Sequence, residues 1–410
     1  MIGRARRRVI AFAPLSLLRR RDVRLLSLGS LFESVGMVGE QVVLGWLTLE
    51  LTNSPLVVGL ALGLRMVPML LVGLPAGVVA DRSDRVRLLR LSGYGMGAAS
   101  AVLGVLTLAG VVALWHVLVI TLASGCVRTL YQTARQTYTH DLVGPGELVH
   151  AIALLGVAMR VGGLAGSLLA GALTARLGPG VGYLGVAAGF LAGSLVFART
   201  PAAGGAAATA HESVWAGFVD FVRALRRDRL LPGLIALTAA AEVLGFSHQA
   251  LLPSLARDVL QVGAGGLGVM TGARSVGGIL GIAVISALSQ TGRTGSLFLG
   301  VLVVFGASLV VLGFASSFLW VVLLLVLVNA VGSVSDVLSQ SLVQLSAPRA
   351  QRGRAGGAWV VAIGTAPLGQ LQIGALASLL GVSTALGLHG LALVALAAAG
   401  ALWFPRLRRL

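Results

Sequence analysis

The chain has 410 residues, a mean hydropathy of +0.94, 57% hydrophobic residues and only 11% charged ones. A water-soluble protein of this length exposes far more charge, so a large soluble domain is excluded. The net charge of +17 comes from 31 basic residues, every one an arginine, and their placement argues for a membrane rather than for nucleic acid.

Residues 1–24 carry Arg4, Arg6, Arg7, Arg8, Arg19, Arg20, Arg21 and Arg24 around a short apolar piece. The apolar piece is interrupted and no small-residue cleavage site follows it. It reads as a cytoplasmic basic segment on an anionic membrane surface rather than a signal peptide. Twelve apolar runs follow, at about 25–48, 55–77, 88–110, 115–137, 150–172, 180–198, 231–253, 264–287, 296–314, 317–342, 355–379 and 383–404. Each is near the ~20 residues that a helix needs to cross a ~30 Å hydrocarbon layer. They are too long and too evenly apolar for barrel strands, which leaves membrane helices. The expected fold is an all-α membrane protein of twelve transmembrane helices in two six-helix bundles. Its parts are the basic segment 1–24, a first bundle 25–198, a cytoplasmic linker 199–230, a second bundle 231–404 and a tail 405–410.

With the N-terminus inside, 25 arginines fall on inner segments, two (Arg176 and Arg257) on outer loops and four within spans. That asymmetry obeys the positive-inside rule and places both termini in the cytoplasm. Within the linker, Thr200 to Thr209 is Ala, Gly and Pro rich. After it, Trp215, Phe218, Val222 and Leu225 recur at the spacing of one helical face, which predicts a helix lying on the inner membrane surface. The single cysteine, Cys126, sits in an apolar run and excludes a disulfide within the chain.

The two halves repeat. Glu33-x-x-Gly36 matches Glu242-x-x-Gly245 at an offset of 209, and Gly59-x-x-x-Gly63-x-Arg65 matches Gly268-x-x-x-Gly272-x-Arg274 at the same offset. Arg128-x-x-x-Gln132-x-x-x-Gln136 resembles Asp336-x-x-x-Gln340-x-x-x-Gln344 at an offset of 208. Duplicated halves are a hallmark of secondary transporters.

Between the second and third runs, Gly77-Val-Val-Ala-Asp81-Arg82-Ser-Asp84-Arg85-Val-Arg87 packs five charges into a short loop. With this loop the chain resembles the major facilitator superfamily. Asp84 stands where that family commonly has a second glycine. Leu51-Thr52-Asn53-Ser54-Pro55 and Thr133-Ala-Arg135-Gln136 are similar to the branch of enterobactin exporters and macrolide-efflux proteins. The fifth-helix segment from Arg160 through Gly162, Gly163 and Gly166 keeps the glycines of the family's antiporter motif and lacks its proline. The resemblance implies that Asp81 bridges the two bundles on the inner side and lets go when the inner gate opens. Gly77, Arg82 and Arg85 complete that gating motif.

Charges inside the membrane cost at least about 2.5–3.5 kcal/mol each and so mark function or pairing. Glu33, Glu40, Glu242 and Asp336 are the acids in the spans; Arg65, Arg128, Arg160 and Arg274 are the bases. Glu33 and Glu40 are seven apart and share a face of the first helix; Glu242 and Gln249 repeat that spacing, with His248 adjacent. A carboxylate held there can take up and release a proton, so Glu33, Glu40 and Glu242 are candidates for the coupling proton, and His248 is a further one. Arg128 with Gln132 and Asp336 with Gln340 each share a helical face and are expected to line a cavity. Arg65, Arg160 and Arg274 are expected to be structural partners in ion pairs.

No Gly-rich phosphate loop, metal-ligand spacing or nucleophile–base arrangement is present, so neither an enzyme nor a cofactor is expected. The leading expectation is a monomeric, proton-coupled exporter of an amphipathic small molecule, embedded in the bacterial inner membrane. The alternatives are a lysophospholipid or lipid flippase of the same fold, and a non-transporting scaffold or sensor.

Overall fold

The computed structural model describes residues 17–143, 146–200, 230–288, 294–346 and 352–409. The expected basic segment before Leu17 and the linker helix after Thr200 lie outside them. Helices run in the order α1 (Arg21–Thr52), α2 (Pro55–Leu64), α3 (Val67–Arg82), α4 (Arg85–Leu108), α5 (Leu114–Leu142), α6 (Leu148–Phe197), α7 (Leu230–Val259), α8 (Gly263–Leu288), α9 (Thr294–Gly313), α10 (Phe318–Ser346), α11 (Arg352–Ile363), α12 (Ala366–Leu380) and α13 (Val382–Trp403).

Among the described residues, ten stretches are long and apolar enough to cross a membrane. Two facts bring that number to the twelve expected. The stretch Leu148–Phe197 is 50 residues long and breaks at Gly178, whose φ of 85° no ordinary side chain adopts comfortably, just before Pro179. It is therefore two crossings. Helix α1 has 32 residues, enough to span, but Glu33 and Glu40 and its serines and glycines hold its hydropathy down. The second and eleventh crossings are each made of two helices, α2 with α3 and α11 with α12. They break at Arg65–Met66 and at Gly364–Thr365.

The chain divides into two compact units. One comprises residues 1–47 and 71–208, the other 48–70 and 209–410. Residues 48–70, which the sequence places in the first bundle, thus cluster with the second unit.

In the first unit, α4 packs along α6 and α5. A Cβ on Gly104 would stand 3.0 Å from the Gly180 carbonyl oxygen, so the two backbones meet almost directly. Small residues permit such contact where the hydrophobic effect cannot drive helices together. The second unit repeats the device: α9 packs along α13, and Gly306 and Gly390 face each other's carbonyl oxygens at 2.5 and 2.4 Å from where their Cβ atoms would be. Gly381, with φ 84° and ψ 159°, breaks the chain before α13 as Gly178 does before the second half of α6.

At one end of the first unit, polar contacts tie the loops down. Asp84 caps α4, its Oδ1 accepting from the Arg87 N–H at 2.8 Å. The residue that departs from the family's glycine is thus a normal helix cap. Buried Arg85 pairs with Asp141 at the end of α5. Arg20 donates to Glu147 at 3.0 Å and to the Leu142 carbonyl at 2.7 Å. Asp141 is exposed, but without it the buried Arg85 guanidinium is left uncompensated. Asp141→Ala is therefore expected to cost about 2–3 kcal/mol and to lower the detergent-solubilised melting temperature by several degrees. The double change Arg85→Met with Asp141→Ala is expected to recover most of that loss.

The second unit holds a comparable clasp. Arg257 Nη1 donates to the Leu49 carbonyl at 3.0 Å and to Asn53 Oδ1 at 2.9 Å, capping the end of α1 where the helix leaves carbonyls unsatisfied. Asp258 holds the same guanidinium from the other side, its Oδ1 accepting from Nε at 2.7 Å.

Candidate functional site

Helix α7 is not a regular α-helix. After Ala240 it widens into a π-helical turn over Ala241–Gly245 and tightens into a 3-10 stretch over Phe246–Leu251. A second π turn covers Leu255–Val259. Turns of this kind concentrate at functional sites because they re-aim side chains. Several contacts hold the distortion. Gly245 leaves room for the Phe305 ring, which a Cβ would meet at 2.5 Å, and Phe246 packs edge-on to the same ring at 5.3 Å. Ser247 Oγ lies 3.1 Å from His389 Nδ1, and His248 Nδ1 lies 2.7 Å from the Gly245 carbonyl oxygen.

The first π turn presents Glu242 to a cavity of about 160 Å³ within the second unit. Asp336 of α10 lines the same cavity, with Met66 and Met69 at the α2–α3 break, Trp359 and Ile363 of α11, and Pro367 of α12. Trp359 is fixed in place: its Nε1 donates to Ser339 Oγ at 3.1 Å, and that hydroxyl donates to the Asp336 carbonyl at 3.0 Å. Among the described residues, the lining thus has two carboxylates, an indole, two thioethers and no base. Chemically it is a small acidic hollow with soft, apolar walls.

Of the residues singled out from the sequence, Glu242 and Asp336 come together here. Others do not line this cavity. Glu33 is fully buried inside the first unit, wedged between Gly93 of α4 and Gly193 of α6. It is not among the residues that line the Glu242 cavity. Glu40 is buried and accepts from Ser124 Oγ at 3.3 Å. His248 is buried and bound to its own backbone rather than facing the cavity. Gln340 is exposed, while Arg128, Gln132 and Arg160 are half-buried in the first unit. Arg65 is buried, and Arg274 Nε donates to Asn329 Oδ1 at 3.4 Å.

In the expected gating motif, Arg82 is exposed and Gly77 has open space where a Cβ would project. Arg85 is tied to Asp141 inside the first unit, a link between α4 and α5. Asp81 falls in the last turn of α3, and its side chain lies outside the described residues. The sequence reading missed Trp359, Met66, Met69 and Pro367. The available signal was the pair of helix breaks, each beside a proline, that turn these residues inward.

Comparison with known proteins agrees with this architecture. The family model described as transmembrane secretion effector matches residues 10–409. The enterobactin exporter EntS of Shigella flexneri is 29% identical over 332 residues, covering 78% of each chain. EntS of Escherichia coli O1:K1 / APEC is similar to the same extent. Among solved structures, a bacterial homologue of the human lysosomal transporter Spinster, in an inward-facing and unoccupied conformation, superposes with a TM-score of 0.73 at 14% identity. It covers 94% of this chain and 96% of that one. The nucleoside transporter NupG gives 0.78 at 14% identity, covering 93% and 99%. At these identities the structural likeness speaks to fold alone.

Proposed function

The chain belongs to the transmembrane secretion effector family of major facilitator transporters, and from that premise we propose that it exports an amphipathic organic cation in exchange for protons. The observation that carries this reading is the placement of Glu242 and Asp336 in one cavity with Trp359, Met66 and Met69. Two carboxylates without a base among the described lining favour a positive charge. An indole attracts a cation over its face, by about 2 kcal/mol or more where water is excluded. Thioethers are soft, flexible and tolerant of apolar groups of varied shape.

Coupling follows from competition. A proton and a cationic cargo neutralise the same carboxylates, so arrival of one expels the other. Alternating access converts that exclusion into exchange. The arginine asymmetry supports a cytoplasmic-membrane location with both termini inside.

A second reading, a flippase for lysolipids, is favoured by one observation. A groove of about 680 Å³ runs between α8, α9 and α10, lined by apolar residues such as Val284, Val304, Leu327 and Val334. It has the size and polarity for an acyl chain.

Everted vesicles loaded by the full-length protein separate the two. A labelled hydrophobic cation, a labelled catecholate siderophore and a labelled lysolipid are offered with and without an imposed proton gradient. The cation is expected to accumulate about tenfold over control vesicles, an effect of about 1.4 kcal/mol, and to leak out when an ionophore collapses the gradient. Accumulation of the lysolipid alone, or of the siderophore in preference to the cation, would overturn the cation reading.

A further inference from the structure

Glu33 poses a separate problem. It is fully buried, and neither carboxylate oxygen has a hydrogen-bond partner. A charged or polar group left in that condition costs several kcal/mol unless something compensates it. The hydroxyls around it are in the same condition. Ser30 lies three residues earlier on α1, Tyr131 comes from α5 and Ser194 from α6; all are buried, and none of their oxygens has a partner.

These groups converge. Ser194 Oγ and Glu33 Oε1 lie 2.1 and 2.2 Å from the point where a Cβ on Gly93 would sit, so both converge on the space that glycine leaves. Gly193 opens a second side, with Glu33 Oε1 2.9 Å from its own missing Cβ. Tyr131 lies beside Ser30 and within electrostatic reach of Glu33. Its ring centroid is 6.3 Å from that of Phe197, which in turn fills the notch at Gly29.

We propose that this hollow is a binding site for a dehydrated sodium ion, held by the Glu33 carboxylate and the hydroxyl oxygens of Ser30, Tyr131 and Ser194. Oxygen donors of this kind suit hard cations. A single carboxylate balances a single positive charge. Among the described residues no three His, Cys, Asp or Glu converge anywhere, so the donor set is not that of a divalent or transition metal. Arg135, one turn along α5 from Tyr131, makes no ion pair with Glu33, and its Nε is itself without a partner. One ion would satisfy the five oxygens of Glu33, Ser30, Tyr131 and Ser194 that protein groups leave unmet. The site joins α1, α5 and α6 across the glycine hollow of α4, so its occupancy sets how tightly the first unit holds together. It is independent of the Glu242 cavity.

The test is thermal melting of the purified full-length protein in sodium chloride and in choline chloride at matched ionic strength and pH. Sodium is expected to raise the melting temperature by about 3–5 °C between 1 and 100 mM, as ligand linkage requires. Glu33→Gln is expected to remove the rise, and Ser194→Ala to shift its midpoint about tenfold upward. Should Glu33→Gln fail to fold, equilibrium binding of radiolabelled sodium decides. One ion per chain is expected, lost in the Tyr131→Phe, Ser194→Ala double variant. An equal rise in potassium or choline, stabilisation by acid with no dependence on sodium, or sodium binding that survives the double variant would each overturn the proposal.

Discussion

Glu242→Gln is expected to abolish gradient-driven accumulation of a hydrophobic cation while leaving the protein folded. The substitution keeps the shape of the side chain and removes the charge. It leaves Asp336 as the one side chain on the described cavity wall that can ionise. Truncating one partner of a desolvated charge contact costs about 2–5 kcal/mol, or roughly 30-fold or more in binding. The glutamine can no longer exchange a proton, so coupling fails as well as affinity. Asp336→Asn is expected to behave similarly. The measurement is vesicle uptake against pH gradient, with melting temperature as the control for folding. Uptake within twofold of the parent in both variants would remove the cavity from the mechanism.

Gly59→Val is expected to eliminate transport through packing alone. A Cβ at Gly59 would stand 2.2 Å from the carbonyl oxygen of Gln370 on α12, a backbone atom that cannot swing aside. Gly63 and Gly374 seat the neighbouring turns against the Pro367 and Pro55 carbonyl oxygens at 3.2 and 2.6 Å. The Leu56 N–H completes the seam by donating to Ser378 Oγ at 3.0 Å. A branched side chain in the middle of this run must push α2 off α12, with a cost of about 3 kcal/mol or more. The expected readout is loss of uptake together with a fall in melting temperature. Gly73→Ala serves as the comparison, because a Cβ there has nothing within 4 Å and is expected to change neither.

Much of the architecture was legible because hydropathy reports directly on solvent. Twelve runs of membrane length can be counted, and the glycine–proline break at 178–179 separates two of them without any coordinates. Duplication also left its mark, since paired glycines bring α4 against α6 in one unit and α9 against α13 in the other. The face that a polar residue presents was far less legible. The seven-residue spacing of Glu242 and Gln249 implies a common face only where a helix keeps 3.6 residues per turn. Between those residues α7 runs through a π turn and a 3-10 stretch, so the inference fails there. Glu33, the repeat partner of Glu242, sits on a regular helix and turns into the first unit instead. Likewise Arg85 belongs to a motif associated with gating, yet its partner, Asp141, is 56 residues away and follows from helix ends that no local pattern specifies.

The clustering of residues 48–70 with the second unit matters for anyone who would dissect this chain. A fragment cut at the natural-looking linker near residue 200 would retain α2 but lose α12, whose carbonyls occupy the notches at Gly59 and Gly63. Severed there, the amino-terminal piece would carry a bare, backbone-deep seam into the bilayer. It would be prone to pair with whatever helix it meets first. Recombining separately synthesised halves would then depend on threading that seam back onto its mate, and not merely on bringing two finished bundles side by side.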